Sequence, residues 1–170
     1  MAPPPPPSQS LLDRLSENAS RQPSKIATTF LGPGPDGGRV ETSLTYSDLV
    51  RRTESLARHL LSPTGVGLSR GDRVVLVYPP GAEFISAFLA CLRAGVVAVP
   101  VFPPHPARAD TIAAFASIAK GCGADTALTC GSYQHAKKLG GEFRFLAPVS
   151  AQVVTCAGAG APPLPLSFAL

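Results

Sequence analysis

The spacing of apolar positions predicts two helices in the first third of the chain. In residues 44–62, leucine, valine and alanine recur three and four residues apart, which gives one apolar face at helical period. Thr45 is the natural N-cap of this helix, and Asp48 places an acid in its first turn. A shorter helix is expected to begin after Ser10 and to end before Pro23.

Between these helices the pattern predicts a β-hairpin. Residues 25–31 and 39–44 have the composition of strands, and the stretch GPGPDGG at 32–38 joins them. Prolines and glycines at this density sustain neither a helix nor a strand, so the stretch is expected to be the turn.

A dense apolar run extends from Val96 to Phe102 and is interrupted only by Pro100. A strand with one face in water alternates between apolar and polar residues, and this run does not. The pattern therefore predicts a strand covered on both faces, as in a parallel sheet flanked by helices. Open parallel sheets bind ligands just beyond the carboxyl ends of their strands, so the loop after this strand becomes a candidate site.

From Arg73 onward, strand-like and helix-like segments alternate. In chain order they are a strand at 73–78, a helix at 83–95, a strand at 96–102, a helix at 111–120, a strand at 124–129, a helix at 132–140 and a last strand at 144–149 or 151–156. Alternation of this kind is typical of an α/β fold with a doubly wound, mainly parallel sheet. Residues 1–9 are expected to be a disordered proline-rich leader, and residues 157–170 a flexible tail.

The composition excludes several classes of protein. Of the 170 residues, 45% are hydrophobic and 15% charged, which does not fit a disordered chain. The net charge of +4 is too small and too scattered to indicate nucleic-acid binding. The four cysteines and three histidines have no zinc-ligand spacing, so no metal site is expected.

A membrane span and a secretory signal are not expected either. The most apolar window, residues 84–102, contains Arg93, Gly95 and Pro100, and the N-terminus lacks the basic start and apolar stretch of a signal peptide. A cytoplasmic protein is expected. The glycine-rich stretch TGVGLSRG precedes a strand, whereas a dinucleotide fingerprint follows one, and no phosphate-binding loop can be placed elsewhere.

Two segments resemble the core motifs of the adenylate-forming (AMP-dependent synthetase/ligase) superfamily. LTYSDL at 44–49 is similar to its first motif, and LRAGVVAVP at 92–100 is similar to its second. The intervening LSRGDRVVLVYPPGAEFISAFLACL and the following VPVFPP most resemble fatty acyl-AMP ligases. The resemblance covers about residues 10–155, and it implies that residues 10–156 are a truncated N-terminal AMP-binding subdomain with a small β-hairpin.

The resemblance also implies a reaction and its cofactors. Such ligases use ATP and Mg²⁺ to convert a fatty acid to acyl-AMP and pyrophosphate, then pass the acyl group to a carrier-protein thiol or to coenzyme A. PLPLSFAL at 163–170 looks like the lead-in to the family's phosphate loop, and neither that loop nor the catalytic lysine is within the sequence. We therefore expect no complete catalytic or cofactor site and no activity from these residues alone, and whether they act as an enzyme stays open.

The resemblance places the loop FPPHPAR at 102–108 beside the entry route of the acyl acceptor. Pro103, His105 and Arg108 are the candidate substrate-binding residues, with Arg108 available to a phosphate of a phosphopantetheine arm. The alternative is a stiff crossover loop with a solvated arginine. Glu83 and Asp110 read as first-turn helix acids. Two other functions stay open, a non-catalytic binding or scaffolding module and part of an acyl-CoA synthetase.

Overall fold

In the computed structural model, residues 10–34, 37–105 and 108–131 are described, and for residues 153–155 the backbone. In chain order the helices and strands are α1 Leu11–Arg21, β1 Ile26–Pro33, β2 Arg39–Thr45, α2 Tyr46–Leu61, β3 Arg73–Val77, α3 Ala82–Ala94, β4 Val97–Val101, α4 Ala109–Cys122, β5 Thr126–Thr129 and β6 Val153–Thr155. No helix within these ranges is long and apolar enough to cross a membrane.

Capping boxes fix the starts of α1 and α2. The Ser10 hydroxyl accepts from the Asp13 N–H at 3.2 Å, and the Asp13 carboxylate accepts from the Ser10 N–H at 3.0 Å. Thr45 and Asp48 make the same two bonds at 3.1 and 3.3 Å. The predicted N-caps are confirmed, because each reciprocal pair satisfies backbone donors that the first helical turn leaves without partners.

The predicted hairpin is confirmed as the antiparallel pair β1–β2, with β1 extending to Pro33. Its base is tied to α2, since the Tyr46 and Ser47 N–H groups donate to the carbonyls of Lys25 and Pro23 at 3.0 and 3.1 Å. Leu44 at the end of β2 is buried in a cluster with apolar residues of α1, α2 and α3. The hairpin is therefore held against the helices at its base.

The remaining four strands form one parallel sheet in the order β4-β3-β5-β6. The predicted parallel sheet is confirmed. β6 lies within the later of the two positions considered for the last strand, and the earlier one, 144–149, lies outside the described residues. α3 and α4 end at Gly95 and Gly123, which have positive φ of 72° and 64°, a backbone conformation that glycine adopts without strain. The predicted helix at 132–140 lies outside the described residues.

Side chains of β3 alternate between two cores on the two faces of the sheet. Val74 and Leu76 are buried with residues of α2 and α3. Val75 and Val77 are buried with Phe115 and Ala119 of α4. Helices on both faces explain why the run VVLV at 74–77 is apolar throughout, whereas a strand with one wet face would alternate.

The expectation that the run at 96–102 is covered on both faces is wrong. In β4, Val97 is 49% exposed and Pro100 is also exposed, whereas β3 is buried from Val74 to Val77. The strand order gives the reason. β4 lies at one end of the order, with β3 as its only partner strand within the described residues.

Candidate functional site

Three neighbouring strands end at one edge of the sheet. β3 ends at Val77, β4 at Val101 and β5 at Thr129, and the three residues are in register with one another. Because the strands are parallel, the segments that follow them emerge side by side. Two of these segments are the loops at 78–81 and 102–108, and the second of them contains the predicted site residues.

The two loops leave this edge toward opposite faces. The loop at 78–81 leads into α3, which packs with Leu76 on one face. The loop at 102–108 leads into α4, which packs with Val77 on the other. Diverging connections of this kind open a crevice beyond the strand ends, and such a crevice is where open α/β sheets bind their ligands.

Thr129 ties the ends of β3 and β5 together, a role that the sequence did not predict. Its hydroxyl is buried and donates to the Val77 carbonyl at 2.6 Å. Tyr78 and Cys130, which follow these strand ends, are also buried. The signal in the sequence was a threonine at the end of a short apolar run, which is too common to indicate a cross-strand bond.

The loop after β4 brings two of the three predicted site residues together. The Arg108 N–H donates to the His105 carbonyl at 3.0 Å. The Thr111 hydroxyl accepts from the His105 N–H at 3.1 Å and donates to the Arg108 carbonyl at 2.8 Å. Pro103, the third, is half-buried earlier in the loop, while His105 and Arg108 are exposed. Thr111 thus fixes the path of the loop into α4.

The Arg108 guanidinium is paired with Asp110. Its Nη2 and Nε donate to the two carboxylate oxygens at 2.8 and 3.4 Å, and both side chains are about two-thirds exposed. The hydrogen bond from Arg108 lowers the pKa of Asp110 below its usual value, and desolvation opposes this shift. A phosphate that binds the Arg108 guanidinium therefore has to compete with the Asp110 carboxylate for its N–H donors.

The loops at 78–81 and 102–108 do not fit the phosphates of ATP. Pro79, Pro80 and Pro103 have no N–H to donate, so the loops lack the run of backbone donors that a phosphate cradle needs. Glu83 places a negative charge in the first turn of α3, where an anion would otherwise be attracted. Within the described ranges, no three His, Cys, Asp or Glu side chains cluster closely enough to hold a metal ion.

The fold is that of a known enzyme family. The family model described as AMP-binding enzyme matches residues 15–162, and the chain belongs to this family. Its hairpin, helices and parallel sheet correspond to the N-terminal subdomain of adenylate-forming enzymes.

Individual relatives are fatty acid ligases. The chain is 42% identical over 102 residues to the long-chain-fatty-acid–AMP ligase FadD28 of Mycobacterium bovis, covering 60% of this chain and 17% of the relative. It is 37% identical over 98 residues to JamA of Moorena producens, a medium-chain-fatty-acid–[acyl-carrier-protein] ligase, covering 58% of this chain and 15% of that protein.

A solved structure has the same fold. It is the fatty acyl-adenylate ligase of Legionella pneumophila in complex with acyl adenylate and pyrophosphate, with a TM-score of 0.67 and 31% identity. The match covers 86% of this chain and 23% of the Legionella chain. The chain thus spans less than a quarter of the length of each of these three proteins.

Proposed function

We propose that these residues form the N-terminal part of an ATP-dependent fatty acid-activating ligase. In the proposed reaction a fatty carboxylate attacks the α-phosphate of ATP, which gives acyl-AMP and releases pyrophosphate. A carrier-protein thiol then attacks the acyl carbonyl, which forms a thioester and releases AMP. The observation that carries the proposal is the likeness, over 86% of this chain, to a ligase structure that holds acyl adenylate and pyrophosphate.

The contribution of the chain is structural support for a site that other residues complete. Residues 10–156 would supply the first parallel layer, and residues 157–170 would lead toward a phosphate-binding loop. Because the loops at 78–81 and 102–108 offer no phosphate cradle, ATP and Mg²⁺ would be held elsewhere in the ligase. By themselves the 170 residues would be inactive, and ATP as a substrate favours a cytoplasmic location.

The acceptor is proposed to be the phosphopantetheine thiol of an acyl carrier protein, with coenzyme A as the alternative. The name of one relative, an acyl-carrier-protein ligase, supports this choice, and relatives named fatty-acid–CoA ligases support the alternative. The loop with Pro103, His105 and Arg108 would border the acceptor's route. Its position at the carboxyl edge of the sheet supports that role, and the pairing of Arg108 with Asp110 means that the acceptor has to compete for the guanidinium.

A chimera tests the proposal. The matching segment of the Legionella ligase is replaced by residues 10–156 of this chain, and acyl-adenylate formation is measured by ATP–pyrophosphate exchange with fatty acids of several lengths. The folded chimera is expected to catalyse exchange, and the 170-residue chain alone is expected to give none. Holo acyl carrier protein and coenzyme A are then compared as acceptors.

Two results would contradict the proposal. One is a chimera with a native-like circular dichroism spectrum and cooperative melting but no exchange. It would show that the segment does not support the ligase site, which is the result expected of a scaffolding module. Robust exchange by the 170-residue chain would show that the site is complete within it. The unmodified Legionella enzyme is the positive control.

A further inference from the structure

The backbone N–H and C=O groups of β4 point alternately toward β3 and away from it. The Val97 N–H donates to the Asp72 carbonyl at 2.8 Å, so the polar backbone groups of Val97 face β3. Successive residues of a strand direct these groups to opposite sides, and the parallel register continues unbroken to Val101. The groups of Val99 and Val101 therefore also face β3, and those of Ala98 and Pro100 face the outer edge.

Proline at position 100 has different consequences for the two sides of the strand. A proline at a position whose N–H faces β3 would remove a hydrogen bond of the sheet. Pro100 removes none, because an N–H at this position would point away from β3. On the outer edge it leaves the Ala98 N–H as the one outward donor of β4. Pro103 and Pro104, just after the strand, lack an N–H as well.

The edge has the other properties of a strand that pairs with a second chain. The run from Val96 to Phe102 contains no charged residue, and three of its seven positions are exposed, including Val97 and the 87% exposed Phe102. Uncharged, apolar edge strands of β-branched residues are templates for pairing with another strand. Within the described residues no strand pairs with the outer edge of β4.

We propose that Pro100 prevents β4 from pairing edge to edge with β4 of a second copy of this chain. A second copy presents the same edge, and a two-fold axis between the copies would place the two strands antiparallel, with each copy donating and accepting the same bonds. Pro100 removes one outward donor from each copy, so it removes two of the hydrogen bonds that would hold such a dimer.

The test replaces Pro100 with residues that restore the N–H. Pro100→Thr restores the donor with a β-branched, uncharged side chain, and Pro100→Lys restores it while adding a charge that opposes edge pairing. Both variants lose the rigidity of proline to the same extent, so Pro100→Lys is the matched control for any loss of stability. Self-association is measured by sedimentation velocity over a concentration series, together with thermal melting.

Two hydrogen bonds are expected to lower the dimer dissociation constant of Pro100→Thr about tenfold relative to the unmodified chain. Pro100→Lys is expected to stay within about twofold of the unmodified chain. The double variant Ala98→Pro with Pro100→Thr moves the missing donor to the other outward position, so it is expected to reverse the gain.

Each of the following three results would overturn the inference. If Pro100→Thr associates no more strongly than the unmodified chain, the proline does not protect the edge. If Pro100→Lys and Pro100→Thr associate equally, the cause is loosened folding. If Pro100→Thr fails to melt cooperatively while Pro100→Lys melts normally, association of the unfolded variant accounts for any change, and the proposal fails. None of these outcomes depends on the proposed ligase function.

Discussion

Two buried threonines have opposite hydrogen-bonding states. Thr53 in α2 is fully buried, and its hydroxyl has no hydrogen-bond partner. Thr129 in β5 is 4% exposed, and its hydroxyl donates to the Val77 carbonyl. A buried polar group without a partner lowers stability, and a buried group with a good partner raises it.

The same substitution is therefore expected to have opposite effects at the two sites. Thr53→Val replaces a hydroxyl without a partner by a methyl of similar size, which should raise the free energy of unfolding by about 1 kcal/mol. Thr129→Val removes the bond to Val77 and should lower it by a similar amount. Urea titration followed by circular dichroism measures both, and equal signs for the two variants would contradict the assignment.

The ion pair with Asp110 bears on the proposed phosphate-binding role of Arg108. Its guanidinium donates twice to the Asp110 carboxylate, so its affinity for a phosphate depends on how readily Asp110 releases it. In the active chimera, Arg108→Ala is expected to slow acyl transfer to the carrier several-fold while leaving ATP–pyrophosphate exchange unchanged. Asp110→Asn removes the competing charge and should leave transfer unimpaired or faster.

Comparing the effect of each variant on ATP–pyrophosphate exchange with its effect on acyl transfer decides the role of Arg108. An equal loss of exchange and transfer in Arg108→Ala would indicate that the pair holds the loop in place. Unchanged transfer in both variants would mean that the loop is a stiff connection with a solvated ion pair. Arg108→Lys keeps the charge without the two-donor geometry, and it separates charge from shape.

At the scale of elements, the two capping boxes show how short polar patterns define helix starts. The hydrogen bond from the Thr45 side chain holds the pKa of Asp48 below its usual value of 3.8, burial opposes this shift, and Arg51 and Arg52 support it. A carboxyl whose pKa is lowered by folding stabilises the folded state when it is ionised. This stabilisation is complete above the usual pKa and is lost as the pH falls through the lowered value.

Asp48→Asn should therefore remove part of the acid sensitivity of folding. At pH 7 the unmodified chain is expected to be more stable than the variant by about 0.5 kcal/mol, the usual effect of one acid in a first helical turn. The difference should shrink toward zero as the pH falls through the lowered pKa of Asp48. Urea titrations at several pH values measure it, with Glu41→Gln on the exposed hairpin as the control for removing one negative charge. A difference independent of pH would contradict the cap.

The apolar strands β3 and β4 show what composition does not determine. Both are runs dominated by valine, and yet β3 is buried while β4 lies at one end of the strand order. Composition alone predicted a covered strand at 96–102, which is wrong. The available sign was Pro100, since a proline inside a strand indicates a sheet edge.

At the scale of the whole molecule, the order β4-β3-β5-β6 produces the candidate site. The chain passes from β3 outward to β4 and then crosses behind β3 to reach β5. This crossing places α3 and α4 on opposite faces and brings the ends of three strands to one edge. Two loops that are separated by 20 or more residues in sequence become neighbours only through this order.

The sequence by itself determined the elements, their caps, the parallel class of the sheet and the family, because each depends on local periodicity, short-range hydrogen bonding or motifs of a few residues. Only the tertiary structure decided which strand lies at the edge, that Thr129 bonds to β3 and that Thr53 lacks a partner. Those features depend on which residues meet across the fold, and strand order and side-chain packing set these contacts without a short-range pattern in the chain.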